Sequence, residues 1–439
     1  MLDFDQPKLN QGQKDAAEGF FNFLLTDQPE MIISGAGGTG KTFLMGHLIN
    51  EVMPRYEKMC QMMGIESEFD SVIMTATTNK AAEVLAIETG RPTETIHSFL
   101  RLTVKEDWAT GETKLTRTER WTIHQRMIIF IDECPMIDGD LHKMIREGTH
   151  NCKIVYVGDS YQLGPVGPGS AVSPIYNYAL PYFELTEPMR NNGQPALMNL
   201  CNQLRETVRT QQFNPIQLVP NVIDHVEADE MMQLIQQLMI GPGAGAANAR
   251  ILAFTNSRVQ DYNDYIRSQK NLPIGYSVGE RLINNNVTNL PGRGKLFVEQ
   301  EVTIISMGPV EELELYDKTT IQVHFSTIQT SLGTQYYRVP IPADPLHLNK
   351  LMKFYANQKQ WRIYFQLKET IPDFRPRDAS TIHKSQGSSF NTVFLDLENL
   401  STCNMSNMVS RLLYVGLSRA RNRVILYGKL SPRYGSIIQ

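Results

Sequence analysis

The stretch SGAGGTGKT, residues 34–42, determines most of what this sequence predicts. It begins at the end of the apolar run EMIIS (30–34) and contains the pattern G-x-x-x-x-G-K-[ST]. That pattern predicts a strand, a glycine-rich loop and a helix, with backbone N–H groups turned towards bound phosphates. Lys41 adds positive charge, the helix N-terminus adds its dipole, and the Thr42 hydroxyl is a ligand for Mg²⁺. The predicted nucleotide-binding residues are Gly35, Ala36, Gly37, Gly38, Thr39, Gly40, Lys41 and Thr42.

Composition predicts a globular protein with several domains. The 439 residues exceed what one core holds, so we expect two to four domains. Hydrophobic residues make up 41% and charged residues 20%, as in ordinary soluble proteins. The five cysteines include no C-x-x-C pair, which argues against a zinc module and a disulfide framework. The polar N-terminus and the lack of a membrane-length apolar run predict a cytoplasmic enzyme.

Further apolar runs predict two parallel sheets. The first set consists of SVIMTAT (71–77), MIIFIDE (127–133) and KIVYVGD (153–159). The second set consists of RILAFTN (250–256), TVFLDLE (392–398) and RVILYG (423–428). Short apolar runs of this kind suit parallel strands that are covered on both faces. Ligands are then expected at the carboxyl ends of the strands.

Two regions outside these strands have patterns of their own. FLMGHLINEVM (43–53) has the composition of a helix, which we expect to end at Pro54. Residues 276–376 contain alternating, β-branched runs separated by turn residues, which predict a small antiparallel barrel. After these runs, Asp344 and Pro345 predict the N-cap and first turn of a helix.

The run IFIDE (129–133) supplies the carboxylates that a phosphate site of this kind needs. Asp132 stands at the expected strand end, where it holds Mg²⁺ through its water shell. Glu133 follows directly and is placed to orient and deprotonate a water, which favours hydrolysis over transfer to a small acceptor. Arg190 and Arg419 are candidates for the charge that stabilises the γ-phosphate, although a single arginine is more often a surface residue.

Ten short motifs occur in the order found in superfamily 1 helicases. They are LNQGQ, GAGGTGKT, TATTNKAA, TIHSFL, FIDE, VGDSYQLGPVGPG, LTEPMR, AFTN, STIHKSQGSSF and LLYVGLSRAR. Together they resemble superfamily 1B, and within it the Dda-type DNA helicases and their RecD-like relatives. The resemblance extends from Gln13 to Arg421, nearly the whole chain. It implies an α/β fold of two RecA-like parallel-sheet motor domains, with a β-hairpin pin inserted in the first and an SH3-like β-barrel in the second.

The resemblance also implies domain limits. The first motor domain is expected at 1–186, with the pin insertion at about 96–126. The second is expected at 187–275 and 377–439, interrupted by the barrel at 276–376.

Several residues match positions with known roles in that family. Gln13 matches the glutamine that recognises adenine in that family. A side-chain amide suits this role because it can both donate a hydrogen bond to an adenine edge and accept one from it. Gln162 matches the glutamine that contacts the γ-phosphate. Arg190 and Arg419 match the arginines that reach the phosphates from the second motor domain.

Gln386 and Gly387 match the motif that couples nucleotide to strand in this family. One position departs from the family pattern, because Pro135 stands where a small residue, commonly serine, is usual. Proline lacks an N–H and fixes φ, so a backbone contact at that position is in doubt.

Family members hold single-stranded nucleic acid across both motor domains. The matching positions offer hydroxyl, amide and cationic donors for phosphates, and such contacts do not depend on base sequence. They are Thr77, Thr78, Asn79, Lys80, Thr95, His97, Ser98, Phe99, Asn256, Thr381, His383 and Lys384. Either histidine alone is more often a structural hydrogen bonder, and for Phe99 base stacking and core packing are equally weighted.

After TIHSF, residues 100–121 read as two alternating strands joined at residues 109–111, which predicts a β-hairpin. In Dda-like relatives an insertion here separates the strands of the duplex. Trp108, near the tip, is the candidate for stacking on the last base pair, and packing against a neighbouring domain is the equal alternative.

The expected function is ATP-dependent and Mg²⁺-dependent translocation on single-stranded DNA, 5′ to 3′, with duplex unwinding in replication or recombination. The net charge of −4 does not conflict with this, because a motor binds its track in a local groove. The expected partners are single-stranded DNA, single-strand–duplex junctions and a single-strand-binding protein, and we expect a monomer in a phage-infected host cytoplasm. The alternatives are an RNA helicase, a translocase that remodels protein–DNA complexes, a small-molecule kinase and an accessory ATP clamp.

Overall fold

All the runs predicted as strands form strands in a computed structural model of the chain. It describes residues 9–106, 113–165, 172–187, 194–241, 248–273, 275–331, 333–435 and 437–438. These residues form two units. The first contains the described residues of 1–103, 115–214 and 404–418, and the second those of 104–114, 215–403 and 419–439.

The first unit is built on a six-stranded, wholly parallel sheet. The described strands before residue 187 are Glu30–Gly35 (β1), Ser71–Ala76 (β2), Thr93–Thr95 (β3), Leu102–Glu106 (β4), Thr113–Arg117 (β5), His124–Gln125 (β6), Met127–Asp132 (β7), Thr149–His150 (β8), Lys153–Gly158 (β9) and Tyr182–Leu185 (β10). The sheet has the order β10-β1-β9-β7-β2-β3. Hydrophobic clusters cover both of its faces, which explains why its strands are almost continuously apolar.

Helices connect and cover these strands. Those described before residue 211 are Gln11–Leu24 (α1), Lys41–His47 (α2), Met53–Met62 (α3), Asn79–Thr89 (α4), Ile96–Phe99 (α5), Gly139–Glu147 (α6) and Pro195–Thr210 (α7). The expectation that Pro54 ends a helix is wrong. Residues 41–62 are helical without a break, as α2, a π-helical turn at Leu48–Val52 and α3, and Pro54 lies inside this run just after the wider turn.

A buried polar cluster fixes the start of β1. The Glu30 carboxylate accepts hydrogen bonds from Arg146 (2.5 Å) and from the Tyr156 hydroxyl (2.8 Å), and it lies 3.2 Å from His142 Nε2. Burial raises the pKa of Glu30, but the bonds to His142, Arg146 and Tyr156 outweigh burial and lower that pKa to about 2. The carboxylate is therefore ionised in the folded protein at neutral pH.

The second unit contains a second parallel sheet and an antiparallel sheet. Its described strands are Ile223–Val226 (β11), Ala249–Ala253 (β12), Arg281–Asn284 (β13), Thr288–Asn289 (β14), Lys295–Leu296 (β15), Glu301–Glu314 (β16), Thr320–Thr330 (β17), Gln335–Pro342 (β18), Phe374–Pro376 (β19), Ala379–Thr381 (β20), Phe390–Asp396 (β21) and Ala420–Tyr427 (β22). The parallel sheet has the order β11-β22-β21-β12-β20. Each motor half predicted from sequence thus has its parallel sheet.

The described helices after residue 211 are Ala228–Ile235 (α8), Asn256–Gln269 (α9), Pro345–Asn357 (α10), Trp361–Thr370 (α11), Leu397–Leu400 (α12) and Ser406–Leu417 (α13). The last of these belongs to the first unit, although the residues on either side of it belong to the second. None of the helices in the described part of the chain is long and apolar enough to cross a membrane.

The region between β12 and β20 contains the antiparallel strands predicted there. They pair in the order β18-β17-β16-β13-β19, and their closure into an SH3-like barrel stays a prediction. The predicted cap of α10 is confirmed, because Asp344 accepts hydrogen bonds from the N–H groups of Leu346 (2.8 Å) and His347 (3.2 Å). The sequence interpretation missed α11, which packs with α10 on the same hydrophobic cluster.

The predicted hairpin after α5 is present as the paired strands β4 and β5. Its tip, with Trp108, lies outside the described residues, so strand separation by Trp108 stays a prediction. Arg190 also lies outside them. The domain limits drawn from the sequence remain predictions as well.

Candidate active site

The glycine-rich loop joins the end of β1 to the start of α2. Gly38 (φ 86°) and Gly40 (φ 81°) adopt left-handed backbone conformations, which L side chains rarely tolerate. The Lys41 ammonium donates to the carbonyls of Gly35 (2.8 Å) and Ala36 (3.1 Å). The Lys41 side chain therefore folds back over the loop, where this motif binds phosphates.

Gly35 is required by packing. A Cβ atom at this position would lie 2.6 Å from Thr39 Oγ1 and 2.9 Å from Leu185 Cβ. Thr39 is itself buried, and its hydroxyl donates to the Ala36 carbonyl at 2.9 Å. The loop conformation is thus held by contacts within the chain.

Gln13 is fully buried and tied to the same loop. Its side-chain amide donates to the Thr39 carbonyl at 3.2 Å, and its side-chain oxygen accepts from the Asn10 N–H at 3.2 Å. The Asn10 side chain in turn accepts from the Gln13 N–H at 2.8 Å, which completes a capping box at the start of α1. Gln13 therefore anchors α1 to the phosphate loop, and its predicted contact with adenine remains a prediction.

Asp132 lies at the carboxyl end of β7, and only β9 separates this strand from β1. Burial, and to a smaller extent the charge of Glu133, raise the pKa of Asp132 to about 7, although the charge of Lys41 opposes them. Repulsion between the two carboxylates shows an excess of negative charge beside the loop. A cation bound there would relieve it.

Glu133 has a backbone conformation that is unusual for a non-glycine residue. Its φ of 53° and ψ of 41° place it in the left-handed region. The turn is held from the neighbouring strand end, because the Thr77 hydroxyl donates to the Glu133 carbonyl (3.0 Å) and the Thr77 N–H to the Asp132 carbonyl (3.1 Å). Strain of this kind persists only where surrounding contacts impose it, and it is concentrated at functional sites.

Pro135 lies in the 3₁₀ turn Cys134–Met136 that follows Glu133. In this first turn the missing N–H of proline leaves no helical bond unmade. The ring is buried against β9, where a Cβ on Gly158 would lie only 2.5 Å from Pro135 Cδ. The departure from the family pattern is therefore accommodated by packing.

The loop Asp159–Gln162 follows β9 and contains the predicted Gln162. Asp159 is fully buried and Gln162 nearly so, and the Gln162 N–H donates to the Asp159 carbonyl at 3.0 Å. Two residues of α13 contact this loop, and the sequence interpretation missed both. Arg411 donates to the carbonyls of Ser160 and Gln162, and the Tyr414 hydroxyl donates to the Asp159 carboxylate.

Two family models match separate parts of this chain. A model described as an AAA domain matches residues 8–218, and one described as a UvrD-like helicase C-terminal domain matches residues 378–427. The ATP-dependent DNA helicase Dda of Enterobacteria phage T4 is 24% identical over 94% of this chain and 98% of its own length. The chain is thus similar to a DNA helicase over nearly its whole length.

Two further similarities extend this comparison. The ATP-dependent DNA helicase PIF1 of Emericella nidulans is 26% identical over 40% of this chain and 24% of its own length. A crystal structure of a Bacteroides Pif1 helicase, in complex with ADP-AlF3 and single-stranded DNA, covers 99% of this chain and 95% of its own, with a TM-score of 0.52 and 16% identity. The structural likeness supports the fold of two RecA-like domains.

Several predicted strand-binding residues of the first unit begin helices. Thr78 caps α4 by accepting from the Ala81 N–H (3.2 Å), and Thr95 caps α5 by accepting from the Ser98 N–H (3.1 Å). Thr78, Asn79 and Ser98 are exposed, while Lys80 is half-buried. Exposed donors at helix N-termini are well placed to bind phosphates.

Three other predicted residues of the first unit lie deeper. Thr77 is buried, and its hydroxyl is engaged at the Glu133 carbonyl. Phe99 is in the hydrophobic core and stacks on His124 with ring centroids 4.1 Å apart, and its stacking on a base stays a prediction. Burial lowers the pKa of His97, although the charge of Asp138 opposes this.

The predicted residues of the second unit gather near the ends of β12 and β20. Asn256 begins α9 and is exposed, whereas Thr381 is buried and accepts from the Lys384 N–H at 3.4 Å. Burial lowers the pKa of His383. The Lys384 ammonium lies 3.0 Å from a Glu299 carboxylate oxygen and also donates to the Asn285 side chain. Both partners belong to the region of the antiparallel sheet.

Arg419, the candidate arginine of the second unit, lies directly before β22. Its side chain is buried, and its guanidinium donates to the Ser388 carbonyl at 3.5 Å. Ser388 follows Gln386 and Gly387, and Gly387 adopts a left-handed conformation with φ of 72°. Arg419 is thus a neighbour of the predicted coupling motif within one unit.

No cluster of three or more His, Cys, Asp or Glu side chains suited to a metal ion occurs within the described ranges.

Proposed function

We propose that this chain is an ATP-dependent DNA helicase that moves 5′ to 3′ along single-stranded DNA and separates duplexes during replication or recombination. The observation that carries the proposal is that the Lys41 loop and the Asp132–Glu133 turn lie at the carboxyl ends of strands of one parallel sheet. The names of its relatives support it, since the phage Dda and Emericella PIF1 proteins are ATP-dependent DNA helicases.

ATP binding is assigned to the Lys41 loop. The Lys41 ammonium donates to the carbonyls of Gly35 and Ala36. A triphosphate offers stronger, charge-assisted acceptors, so Lys41 exchanges the two carbonyls for phosphate oxygens. Gln13, anchored to the same loop, then stands beside the nucleotide site and is the proposed adenine contact.

Hydrolysis is assigned to Glu133. Its left-handed turn holds the carboxylate just beyond the strand end, where it is the proposed base that accepts a proton from the attacking water. Asp132 and the Thr42 hydroxyl are the proposed holders of Mg²⁺, and the raised pKa of Asp132 fits a carboxylate that gains a cation. When bound, Mg²⁺ neutralises charge that develops on the phosphates.

Coupling to the second motor domain is assigned to Arg190, Arg419, Gln386 and Gly387. In this proposal the two arginines stabilise charge on the γ-phosphate, so that binding and hydrolysis alternately close and release the motor domains. Exposed donors such as Thr78, Ser98 and Asn256 grip the DNA backbone. These contacts do not depend on base sequence, as a motor that moves along any sequence requires.

We further propose the domain limits and surroundings expected from the sequence. The first motor domain is 1–186 with the pin at 96–126, the second is 187–275 and 377–439, and the barrel is 276–376. The protein acts as a monomer at single-strand–duplex junctions, beside a single-strand-binding protein, in the cytoplasm of an infected host.

Strand separation on matched duplexes with a 5′ tail, a 3′ tail or a fork tests activity and direction together. We expect ATP-dependent unwinding of the 5′-tailed and forked duplexes and none of the 3′-tailed duplex. Lys41→Ala is the inactive control. Preference for the 3′ tail would overturn the direction, and an absence of DNA-stimulated ATP hydrolysis would overturn the function. Stimulation by RNA but not by DNA of the same sequence would favour an RNA helicase.

A further inference from the structure

Helix α13 is held to the Asp159–Gln162 loop by side chains buried within the first unit. Arg411 Nη1 donates to the Ser160 carbonyl at 2.7 Å and to the Gln162 carbonyl at 2.6 Å. The Tyr414 hydroxyl donates to an Asp159 carboxylate oxygen at 2.6 Å. One turn of helix therefore contacts both ends of the loop that carries Gln162.

These contacts occur where water cannot replace them. Arg411 is 8% exposed, Tyr414 1% and Asp159 0%. The Asp159 carboxylate also accepts from the Tyr161 N–H at 3.1 Å, while Arg411 donates to Asn407 at 3.3 Å. Because buried acceptors that lose a donor are costly, the loop and the helix have a strong preference for this one arrangement.

Helix α13 directly precedes the candidate arginine Arg419 in the chain. The helix ends at Leu417, and Arg419 follows two residues later, at the start of a segment that belongs to the second unit. A short, buried helix thus has the Gln162 loop on its side and the candidate arginine just beyond its end.

We propose that Arg411 and Tyr414 are positioning residues that clamp the Gln162 loop to α13, so that Gln162 is held in its nucleotide-contacting position. This inference rests on the proposed function and deepens it. Gln162 is assigned to the γ-phosphate, and the clamp fixes the loop that carries it. Neither Arg411 nor Tyr414 contacts the nucleotide in this scheme.

Three substitutions test the clamp. Arg411→Met removes the donors and keeps the length of the side chain, Arg411→Lys keeps an ammonium that donates to both carbonyls, and Tyr414→Phe removes only the hydroxyl. The matched control is Arg209→Met, because Arg209 on α7 lines the same cavity of about 450 Å³ as Arg411 but pairs with Glu206 on its own helix at 2.6 Å.

The first measurement is equilibrium binding, without DNA, of ADP and of a non-hydrolysable ATP analogue. Because Gln162 is assigned to the γ-phosphate, Arg411→Met should reduce the preference for the analogue over ADP by roughly tenfold and leave the affinity for ADP within about twofold. Arg411→Lys should restore most of the preference. Tyr414→Phe should have a smaller effect in the same direction.

The second measurement is the base pairs separated per ATP hydrolysed. We expect Arg411→Met to lower this ratio and the DNA-stimulated kcat by about tenfold, and to raise KM for ATP by up to about tenfold, in line with the weaker binding of the analogue. A merely structural role would instead lower all activities in proportion to the folded fraction, which thermal unfolding measures. That proportional loss, or an equal effect in Arg209→Met, would overturn the clamp.

Failure of the clamp and failure of the proposed function give different results. If the unaltered protein has no DNA-stimulated ATP hydrolysis, the helicase proposal fails, and the binding measurement alone decides the clamp. An unchanged preference for the ATP analogue over ADP in Arg411→Met overturns the clamp, whether or not the protein unwinds DNA.

Discussion

Replacing Glu133 separates the chemistry of the active site from its backbone strain. Glu133→Gln removes the proposed base and keeps the left-handed turn, whereas Glu133→Gly removes both the base and the strain. General-base catalysis contributes about 10²- to 10⁴-fold, so both variants should lose at least about 100-fold in the kcat for ATP hydrolysis.

The two variants should differ in stability. A non-glycine residue in the left-handed region destabilises the folded state by about 1–2 kcal/mol, and glycine removes this strain. Glycine also gives the unfolded chain more conformational freedom, which lowers the free energy of unfolding by about 0.5–1 kcal/mol. Glu133→Gly should therefore be more stable than Glu133→Gln by about 0.5–1 kcal/mol. For a unit of this size that difference raises the melting temperature by roughly 1–4 °C.

Both variants lose the negative charge beside Asp132, so their comparison isolates the backbone contribution. Thermal unfolding gives the stability difference, and phosphate release in the presence of single-stranded DNA gives the turnover. A glycine variant no more stable than the glutamine variant would show that the turn is not strained. A glutamine variant with turnover within tenfold of the original would show that Glu133 is not the base.

The other predictions concern charged groups around the first sheet and in the second unit. Lys41→Ala should abolish ATP hydrolysis and weaken nucleotide binding, measured by phosphate release and calorimetry, and retained turnover would contradict the assignment. Arg419→Ala should slow hydrolysis by roughly 10³-fold with nucleotide affinity nearly unchanged, and a comparable loss of affinity would instead indicate a binding role. Because the pKa of Glu30 is about 2 in the folded protein and the ordinary value is 4.5, its ionisation adds at most about 3 kcal/mol to the free energy of unfolding. That contribution is present above about pH 4.5 and is lost as the pH falls towards 2, so denaturant unfolding of Glu30→Gln should show a smaller change between pH 6 and pH 3 than the unaltered protein.

The strands were predictable because a strand that is buried on both faces is apolar along almost its whole length. MIIFIDE and KIVYVGD are apolar almost throughout, and the structure gives them as the central strands Met127–Asp132 and Lys153–Gly158. The phosphate loop was predictable because its glycines meet steric requirements that few other residues satisfy. At Gly40, a φ of 81° is one such requirement.

The errors and omissions have physical causes as well. Pro54 was expected to end a helix because proline disrupts helix interiors, but the helix continues through it, and the π-helical turn just before Pro54 supplies the altered backbone hydrogen bonding that a residue without an N–H needs. Arg411 and Tyr414 were missed because their partners lie about 250 residues away in the chain, and no local pattern records such a contact. The strained backbone of Glu133 is invisible in sequence for the same reason, since Thr77 and neighbouring strands impose it.

The close approach of Gly158 to Pro135 has a consequence for how such chains diverge. With 2.5 Å between a Cβ at position 158 and the proline ring, any larger residue at 158 would push on the turn that carries Glu133. The same Cβ would also lie 2.8 Å from Cys134 Sγ, so a larger residue at 158 is expected only together with changes at both 134 and 135. The proline that departs from the family pattern would then limit evolution at a site more than twenty residues away.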